Sequence, residues 1–427
     1  MKDIHIGLLG LGNIGKGVYR ILETNENPIQ NHIGANLKIQ KILVRDIHKS
    51  RDIDVAQELL TEDAYEIIND PKIDMIVEVL GGIHPPYEYI KESLQNKKHV
   101  VTANKAVIAT HGEELLKIAK ENGVELRYEA SVGGGIPIIN TLTQSLSANQ
   151  IDEMVGIING TTNYILTQMA ESGMDFDDAL KLAQQKGYAE ADPTSDIEGE
   201  DVAFKLSILI STAFGIQIPP ENIPRAGITK ISKQDIEYAS QLGYKIKLLA
   251  VAKKQDNDFE FHVHPTLIPT HHPLASVSNE FNALFVRGNA VGELMLYGKG
   301  AGSMPTGSAV VGDMIEISKI MGTNYQCGAP VVGDKSTLNL IGEGSSQYYL
   351  HIQVIDKPGV LGRIATTFGK YGISLESVVQ RTRGEASVPL VFITHEVDRS
   401  RLNQALEEIQ SDEMIQGIKS ILRVENL

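Results

Sequence analysis

The 427-residue sequence predicts an α/β chain in three parts: a doubly wound parallel sheet, an α+β domain and a small closing βαββαβ module. Three observations predict it. Short apolar runs alternate with helical patterns through residues 1–130, as in a parallel sheet covered on both faces. A glycine-rich turn, Gly10-Leu11-Gly12-Asn13-Ile14-Gly15, follows the first of these runs and opens a helix. Residues 348–427 return to short alternating elements after a stretch poor in periodic apolar residues.

Strand-like runs fall at residues 4–9, 37–44, 73–79, 99–102 and 124–129, with helices at 86–95 and 113–122 among them. Residues 131–305 open on a glycine-rich segment, pass through long helical patterns and turn strand-like at 247–252 and 259–263, which reads as the α+β domain. A helix is expected at 306–321, just after Pro305. Residues 322–347 are rich in Gly, Ser, Asn and Thr and read as a linker. The closing module has a strand at 348–355, a Lys357-Pro358-Gly359 turn and a helix at 360–371. Strands at 373–380 and 388–395, a helix at 399–409 and a strand near 418–424 complete it. That order is ferredoxin-like.

The formal charge is −15, from 39 Lys+Arg and 54 Asp+Glu. Phosphate-backbone binding needs clustered positive charge, so a nucleic-acid partner is not expected. Residues 348–427 carry a net charge of only −1, which assigns the acidity to the body of the chain. The single cysteine, Cys327, excludes an intramolecular disulfide framework and a multi-cysteine zinc site. No apolar run approaches the roughly 18–20 residues of a membrane span. The opening MKDIHIGLLG reads as a strand and not a leader. A cytoplasmic protein with no membrane partner is expected.

In the Gly10–Gly15 turn the first glycine permits the tight bend and the second lets a pyrophosphate approach the backbone. The third allows close helix–strand packing, as in a Rossmann-type dinucleotide site. Gly10, Gly12, Asn13, Ile14 and Gly15 are thus the candidate cofactor contacts, with the helix N-terminus facing the phosphates. The second strand runs into Leu43-Val44-Arg45-Asp46, with Lys49 and Arg51 beyond. A guanidinium at Arg45 suits a 2′-phosphate through bidentate hydrogen bonds. This favours NADP(H) over NAD(H), while Asp46 keeps the ribose contact of NAD open.

Thr102-Ala103-Asn104-Lys105 follows the strand at 99–102. Carboxyl ends of parallel strands line the ligand crevice, which places Thr102 and Lys105 beside the nicotinamide. A denser constellation follows: Gly187-Tyr188-Ala189-Glu190-Ala191-Asp192-Pro193, Asp196, then Gly199 to Lys205. Pro193 and Ser195/Asp196 mark a helix start. Val202, Leu206, Leu209 and Ala213 form its apolar face, and Asp201 and Lys205, four apart, share another. A plain surface pair is one reading; the crowd of Glu190, Asp192, Asp196 and Asp201 favours a site. Carboxylates without a metal-ligand pattern can hold the ammonium of an amino-acid substrate. His262, His264, His271 and His272 lack such a partner pattern and read as loop or surface histidines.

The run at 183–205, with Ala183, Gly187, Asp192-Pro193, Asp196, Gly199, Asp201 and Lys205 in register, resembles the signature of homoserine dehydrogenase. The resemblance extends over the whole chain, through Gly10–Gly15, Thr102 to Lys105, residues 129–137 and the closing module. It implies reversible hydride transfer between L-homoserine and L-aspartate 4-semialdehyde, on the route to threonine, methionine and isoleucine. By matching positions, Lys205 would donate or accept the proton at the substrate oxygen and Lys105 would assist. Glu190 and Asp201 would bind substrate, while Gly187 and Gly302 would touch the cofactor. A monovalent cation, sodium or potassium, would sit in the loop of Glu129, Val132, Gly134 and Ile136, held mainly by carbonyl oxygens. The helix after Pro305 would return to complete the nucleotide domain. The closing module resembles an ACT domain through Asp356-Lys357-Pro358-Gly359-Val360-Leu361, implying a threonine effector site or a purely structural pairing role. The same resemblance implies a homodimer or homotetramer.

Two rival readings conflict with the residues present. An acylating semialdehyde dehydrogenase needs a thiolate nucleophile, and the sole thiol, Cys327, lies in the linker. A nicotinamide- and amino-acid-sensing regulator without catalysis would lack Lys105, Lys205, Glu190 or Asp201, and all four are present. An amino-terminal kinase fusion is not expected, because the chain opens on the first strand.

Overall fold

The first apolar run becomes strand β1 (Lys2–Leu9), the centre of a parallel sheet. Around it lie β2 (Ala35–Leu43), β3 (Leu60–Thr61), β4 (Met75–Glu78), β5 (His99–Thr102) and β6 (Leu126–Arg127), in the order β3-β2-β1-β4-β5-β6. The order reverses between β1 and β4, which is where such sheets open a ligand crevice. Their helices are α1 (Asn13–Thr24), α2 (Glu26–Ile33), α3 (Tyr65–Ile68), α4 (Pro86–Gln95) and α5 (Lys105–Asn122). A short α6 (Ile138–Asn140) follows. In this computed structural model, residues 2–321, 338–380 and 387–425 are described. The chain forms two units: residues 1–151, 204–222 and 282–335, and residues 152–203, 223–281 and 336–427. Among the described residues no helix is long and apolar enough to cross a membrane.

Several boundaries depart from the sequence expectation. The run at 124–129 pairs only over Leu126–Arg127, since Tyr128 leaves the strand and Glu129–Ser131 forms a 3-10 turn. Helix α5 begins at Lys105, well before residue 113, because Asn104 caps it by accepting from the Val107 N–H. Gly112 within the helix had hidden that continuity. The helix expected at 194 onward is two: a single turn, then a break at Gly199 (φ 79), then a new start at Glu200.

The first unit also holds β10 (Phe281–Gly288), β11 (Gly292–Lys299) and α12 (Ser303–Ile320). Pro305 falls inside the first turn of α12 and not before it, where its missing N–H costs nothing. Helix α12 lies directly on α1. A Cβ on Gly17 would come within 2.0 Å of the Ser303 carbonyl oxygen, and one on Gly307 within 2.8 Å of the Gly17 carbonyl carbon. Glycine at both places lets the backbones touch, and Val310, Val311, Met314 and Ile317 then share one core with Val18, Ile21 and Leu22.

The second unit contains β7 (Ile151–Ile157), α7 (Gly160–Ser172), α8 (Phe176–Gln185), α9 (Thr194–Ile197) and the start of α10 (Glu200–Phe214). After α11 (Lys233–Gln241) come the long antiparallel strands β8 (Tyr244–Gln255) and β9 (Asp258–Pro269). Next are β12 (Asn339–Gly342), β13 (Gln347–Val354), α13 (Val360–Lys370), β14 (Leu375–Val379), β15 (Val388–Thr394), α14 (Arg399–Gln410) and β16 (Ile415–Val424). Residues 347–424 thus have the expected βαββαβ order. Within this unit the strands run β7-β8-β9-β16-β13-β15-β14, because β16 pairs in parallel with β9 through Arg423/Thr266 and Val424/Leu267. Strand β12 pairs with the other end of β9, at Asn339/Asp258 and Leu340/Phe259. The proposed linker at 322–347 is therefore part sheet; its residues 322–337, Cys327 included, lie outside the described residues.

Helix α11 joins the closing module through one carboxylate. Asp235, fully buried, forms a capping box with Ser232. It also accepts from Tyr349 Oη at 3.1 Å and Ser420 Oγ at 2.6 Å, and stands 2.9 Å from His351 Nδ1. Burial alone would raise its pKa, but hydrogen bonds from His351, Ser232 and Ser420 prevail and lower it.

The histidine reading needs correction. His262 and His264 lie on β9, and His262 and His272 are buried; only His271 is exposed. Glu260 is local on β9, while Glu425 is brought up by the sheet pairing, so that donor atoms of Glu260, His262 and Glu425 lie within 4.8 Å of one another. Cations already engage those carboxylates: Arg423 binds Glu260 at 2.7 Å and Lys253 binds Glu425 at 2.5 Å. His264 meets Glu343 at 2.8 Å. The cluster is an ion-pair network at the joint between β9, β12 and β16.

That network gives stability a sign in acid. Burial, then the nearby Arg423 and His264, push His262 well below its ordinary value. The unfolded chain thus takes up a proton near pH 6.5 that the native state refuses, and stability is lost as pH falls below about 6.5. Glu343 is held down to about 2, chiefly by the His264 hydrogen bond, and its contribution fades only below about pH 4.3. Thermal unfolding from pH 7.5 to 5 should show Tm falling through this range, and His262→Gln should flatten the fall. An unchanged slope in the variant would remove His262 as its source.

Candidate active site

The glycine turn at the end of β1 has the geometry its spacing predicts. Gly10 sits at φ 113, and a Cβ on Gly15 would press to 2.1 Å from the Gly10 carbonyl oxygen. Gly12, the N-cap of α1, has nothing within 4 Å of its Cβ position, and no acidic side chain occupies the first turn of α1. Open backbone at a helix N-terminus free of carboxylates suits a pyrophosphate. Arg45 is exposed just past β2, while Asp46 accepts from the His48 N–H at 2.8 Å. Arg51 binds the carbonyl oxygens of Lys49 and Asp46, which leaves Arg45 as the exposed guanidinium nearest the strand end.

At the carboxyl ends of β4 and β5 a buried acid organises the backbone. Glu78, fully buried, accepts from Thr102 Oγ1 at 2.6 Å and from the Leu80 N–H at 2.7 Å. Burial raises its pKa despite those bonds. Thr102 Oγ1 in turn accepts from the Asn104 N–H, and Asn104 Nδ2 donates to the Gly82 carbonyl. This chain of bonds sets where α5 starts, and hence the place of the half-buried Lys105 as its first residue.

The loop of Glu129, Val132, Gly134 and Ile136 is buried. Both Glu129 carboxylate oxygens are taken, by the Ile139 and Asn140 N–H groups at 2.7 Å each. The Glu129 N–H donates to Asp313 of α12 at 2.8 Å. Burial and then Glu129 push Asp313 up to about 7. Gly134 (φ 55) leaves no room for a Cβ, which would lie 2.4 Å from the Gly300 carbonyl oxygen, and the Gly135 N–H donates to the Lys299 carbonyl. Gly302 (φ 117) caps α12. Beneath this turn the Asn282 amide packs against Gly300, buried and without a hydrogen-bond partner among the described residues.

In the second unit the carboxylates are gathered by a residue the sequence reading passed over. Asn159, 4% exposed, caps α7 through the Thr162 N–H and donates from Nδ2 to Asp196 at 2.7 Å and Asp201 at 2.8 Å. Its signal was the Asn159-Gly160-Thr161-Thr162 sequence, an asparagine just ahead of a helix. Asp201 is buried in the first turn of α10, and Lys205, half-buried, follows one turn later. The pair is therefore not a solvated surface pair. Thr161 Oγ1 holds the Tyr188 carbonyl at 2.6 Å, fixing the strand of chain that bears Gly187 (φ 76) and Glu190. Glu190 is exposed. Asp192 is spent locally on Thr194, whose hydrogen bonds lower its pKa.

Comparison with known proteins agrees along the whole chain. The family model "Homoserine dehydrogenase" matches residues 137–315, "Homoserine dehydrogenase, NAD binding domain" residues 10–129, and "ACT domain" residues 348–413. A homoserine dehydrogenase of Bacillus subtilis (strain 168) is 42% identical over 429 residues, covering 100% of this chain and 99% of that protein. The crystal structure of a homoserine dehydrogenase from Thiobacillus denitrificans superposes with a TM-score of 0.92 at 39% identity, covering 100% of this chain and 99% of that one. A hyperthermophilic archaeal homoserine dehydrogenase in complex with NADPH matches with a TM-score of 0.63 at 28% identity, covering 74% of this chain and 98% of that one.

The second and third glycines of the turn should fail differently. Gly15→Ala forces a Cβ into backbone and is expected to cost about 1–3 kcal/mol, read as a lower Tm. Gly12→Ala adds a methyl in open space; it should keep the fold, within the ~1 kcal/mol of a cap change, yet weaken dinucleotide binding about tenfold in a fluorescence titration. Equal loss of stability in both variants would overturn this division of roles.

Proposed function

The chain belongs to the homoserine dehydrogenase family of nicotinamide-dependent oxidoreductases, and from that premise we propose how its own residues interconvert L-homoserine and L-aspartate 4-semialdehyde. The observation that carries the reading is the Asn159 amide, which orients Asp196 of α9 and Asp201 of α10, the latter one helical turn before Lys205. When bound, the nicotinamide supplies or receives the hydride. Hydride arrival at the aldehyde carbon leaves negative charge on oxygen; Lys205 protonates that oxygen and, in the reverse direction, takes the proton back. Lys105 adds a second ammonium for the developing charge. Asp201 and Glu190 hold the ammonium and hydroxyl region of homoserine. The reading as a sensor without catalysis has no support from relatives that carry the enzyme's name along the full chain.

Finer parts belong to the same proposal. NADP(H) is the preferred cofactor, through the exposed Arg45 beside the ribose end of β2. Gly10, Gly12, Asn13, Ile14 and Gly15 carry the pyrophosphate, Thr102 and Lys105 stand at the nicotinamide end, and Gly187 and Gly302 touch the dinucleotide. A sodium or potassium ion would take carbonyl oxygens of Glu129, Val132, Gly134 and Ile136. The donor set fits on one condition: the Glu129 carboxylate is already engaged, so the ion would rely on backbone. Threonine is the proposed effector at the ACT module, the protein acting as a cytoplasmic homodimer or homotetramer in threonine, methionine and isoleucine biosynthesis.

Oxidation of NADPH with aspartate semialdehyde tests the assignment. Native protein should turn over, and Lys205→Met should lose at least 100-fold in kcat, in keeping with general-acid contributions of about 10²–10⁴-fold, with cofactor affinity nearly unchanged. Undiminished kcat would sink the role of Lys205. In parallel, Arg45→Gln should raise KM for NADPH about tenfold and leave that for NADH within about twofold, as expected for one lost charge-assisted pair. Equal effects on both cofactors would remove Arg45 from 2′-phosphate recognition.

A further inference from the structure

A cavity of about 540 Å³ opens within the second unit, between α7, α11 and the first residues of β8. Its lining carries three amines, Lys233, Lys245 and Lys247, against two carboxylates, Glu171 and Glu237. The lining is thus not acidic, although the chain as a whole has a net charge of −15. Lys247 is only 3% exposed. Its Nζ meets neutral acceptors, Asn163 Oδ1 at 2.9 Å and the Val277 carbonyl at 2.6 Å. Asn163 is itself pinned by three carbonyls, those of Val277, Asn279 and Phe281, so these acceptors are fixed in advance.

A buried lysine is ordinarily paired with an anion, because two neutral dipoles do not replace the hydration of a full charge. Here Glu171 attracts Lys247 without hydrogen-bonding to it, and Lys245 repels it; burial, the largest influence, pushes it down to about 7. The cavity that Lys247 lines leaves room beside it for a counter-charge without rebuilding the core. Lys233, from α11, reaches toward Gly173 at the end of α7, its Nζ 3.6 Å from that residue's Cβ position.

We propose that this cavity binds a small oxyanion, the carboxylate or phosphate of a metabolite, with Lys247 as its buried counter-ion and Lys233 and Lys245 at the rim. The ligand would sit against α11, the helix whose Asp235 holds Tyr349, His351 and Ser420 of the closing module. It is an effector position separate from the module itself.

The test uses the full chain with saturating NADPH, so that phosphate cannot register at the dinucleotide turn. Tm is followed at pH 7 while inorganic phosphate, or separately succinate, is titrated at constant ionic strength. A saturable rise with one of them is expected, and the active anion tells a phosphate from a carboxylate ligand. Lys247→Met should weaken the response at least fivefold. Should that variant not fold, Ala170→Trp decides, since it sets a ring at the exposed lip of the cavity and obstructs entry without replacing any partner of Lys247. Lys38→Gln, a control paired with Asp3 on the first unit, should respond like the native protein. No saturable rise with either anion, or an unchanged response in Ala170→Trp, would overturn the site.

Discussion

One buried amide ties the starts of α7 and α10 to the α9 turn between them. Asn159 closes the N-terminus of α7 with its oxygen and spends both hydrogens of its nitrogen on two carboxylates from the α9 turn and α10. Without it the two acids gathered around one nitrogen would each lose that donor, and for a carboxylate as buried as Asp201 such a loss is costly. The break at Gly199 makes the arrangement reachable, because it ends one helix and starts the next in time to put Asp201 in a first turn. Asp235 plays a comparable part further along: one carboxylate, five polar groups, and a helix tied to a sheet far away in sequence.

What could be read in the sequence was whatever depends on neighbours along the chain. The Gly10–Gly15 turn was legible because each glycine answers a local steric demand. The βαββαβ order of the closing module was legible from periodicity and the Lys357–Gly359 turn. Long-range pairing was not. Residues 339–342 look like linker because nothing nearby announces that β9 offers them an edge. His262 and His264 look solvent-bound because their partners, Glu260 apart, arrive from β12 and β16. Lys105 stands out in the sequence, but its place at a helix start depends on Thr102, which Glu78 holds from across the sheet.

The same contrast holds for the nucleotide part. Glycines 17 and 307 carry no motif between them, yet each is required by the other, since the two helix backbones meet there. Sequence reading could place a helix after residue 305 and, by family likeness, send it back to the first domain. The reason for its fit lies in the two missing side chains and in the Glu129–Asp313 contact that follows.

The pairing of β16 with β9 also sets an order of events during synthesis. A ribosome releases the chain from its N-terminus, so β8 and β9 emerge long before residues 415–424 exist. Until then the far half of β9, around Thr266 and Leu267, is an open sheet edge able to recruit other nascent chains. The nearer half waits in the same way for β12. The second unit cannot complete this sheet until residues 415–424 have emerged. The edge of β9 that receives the closing module in the finished protein is, for a growing chain, an open flank.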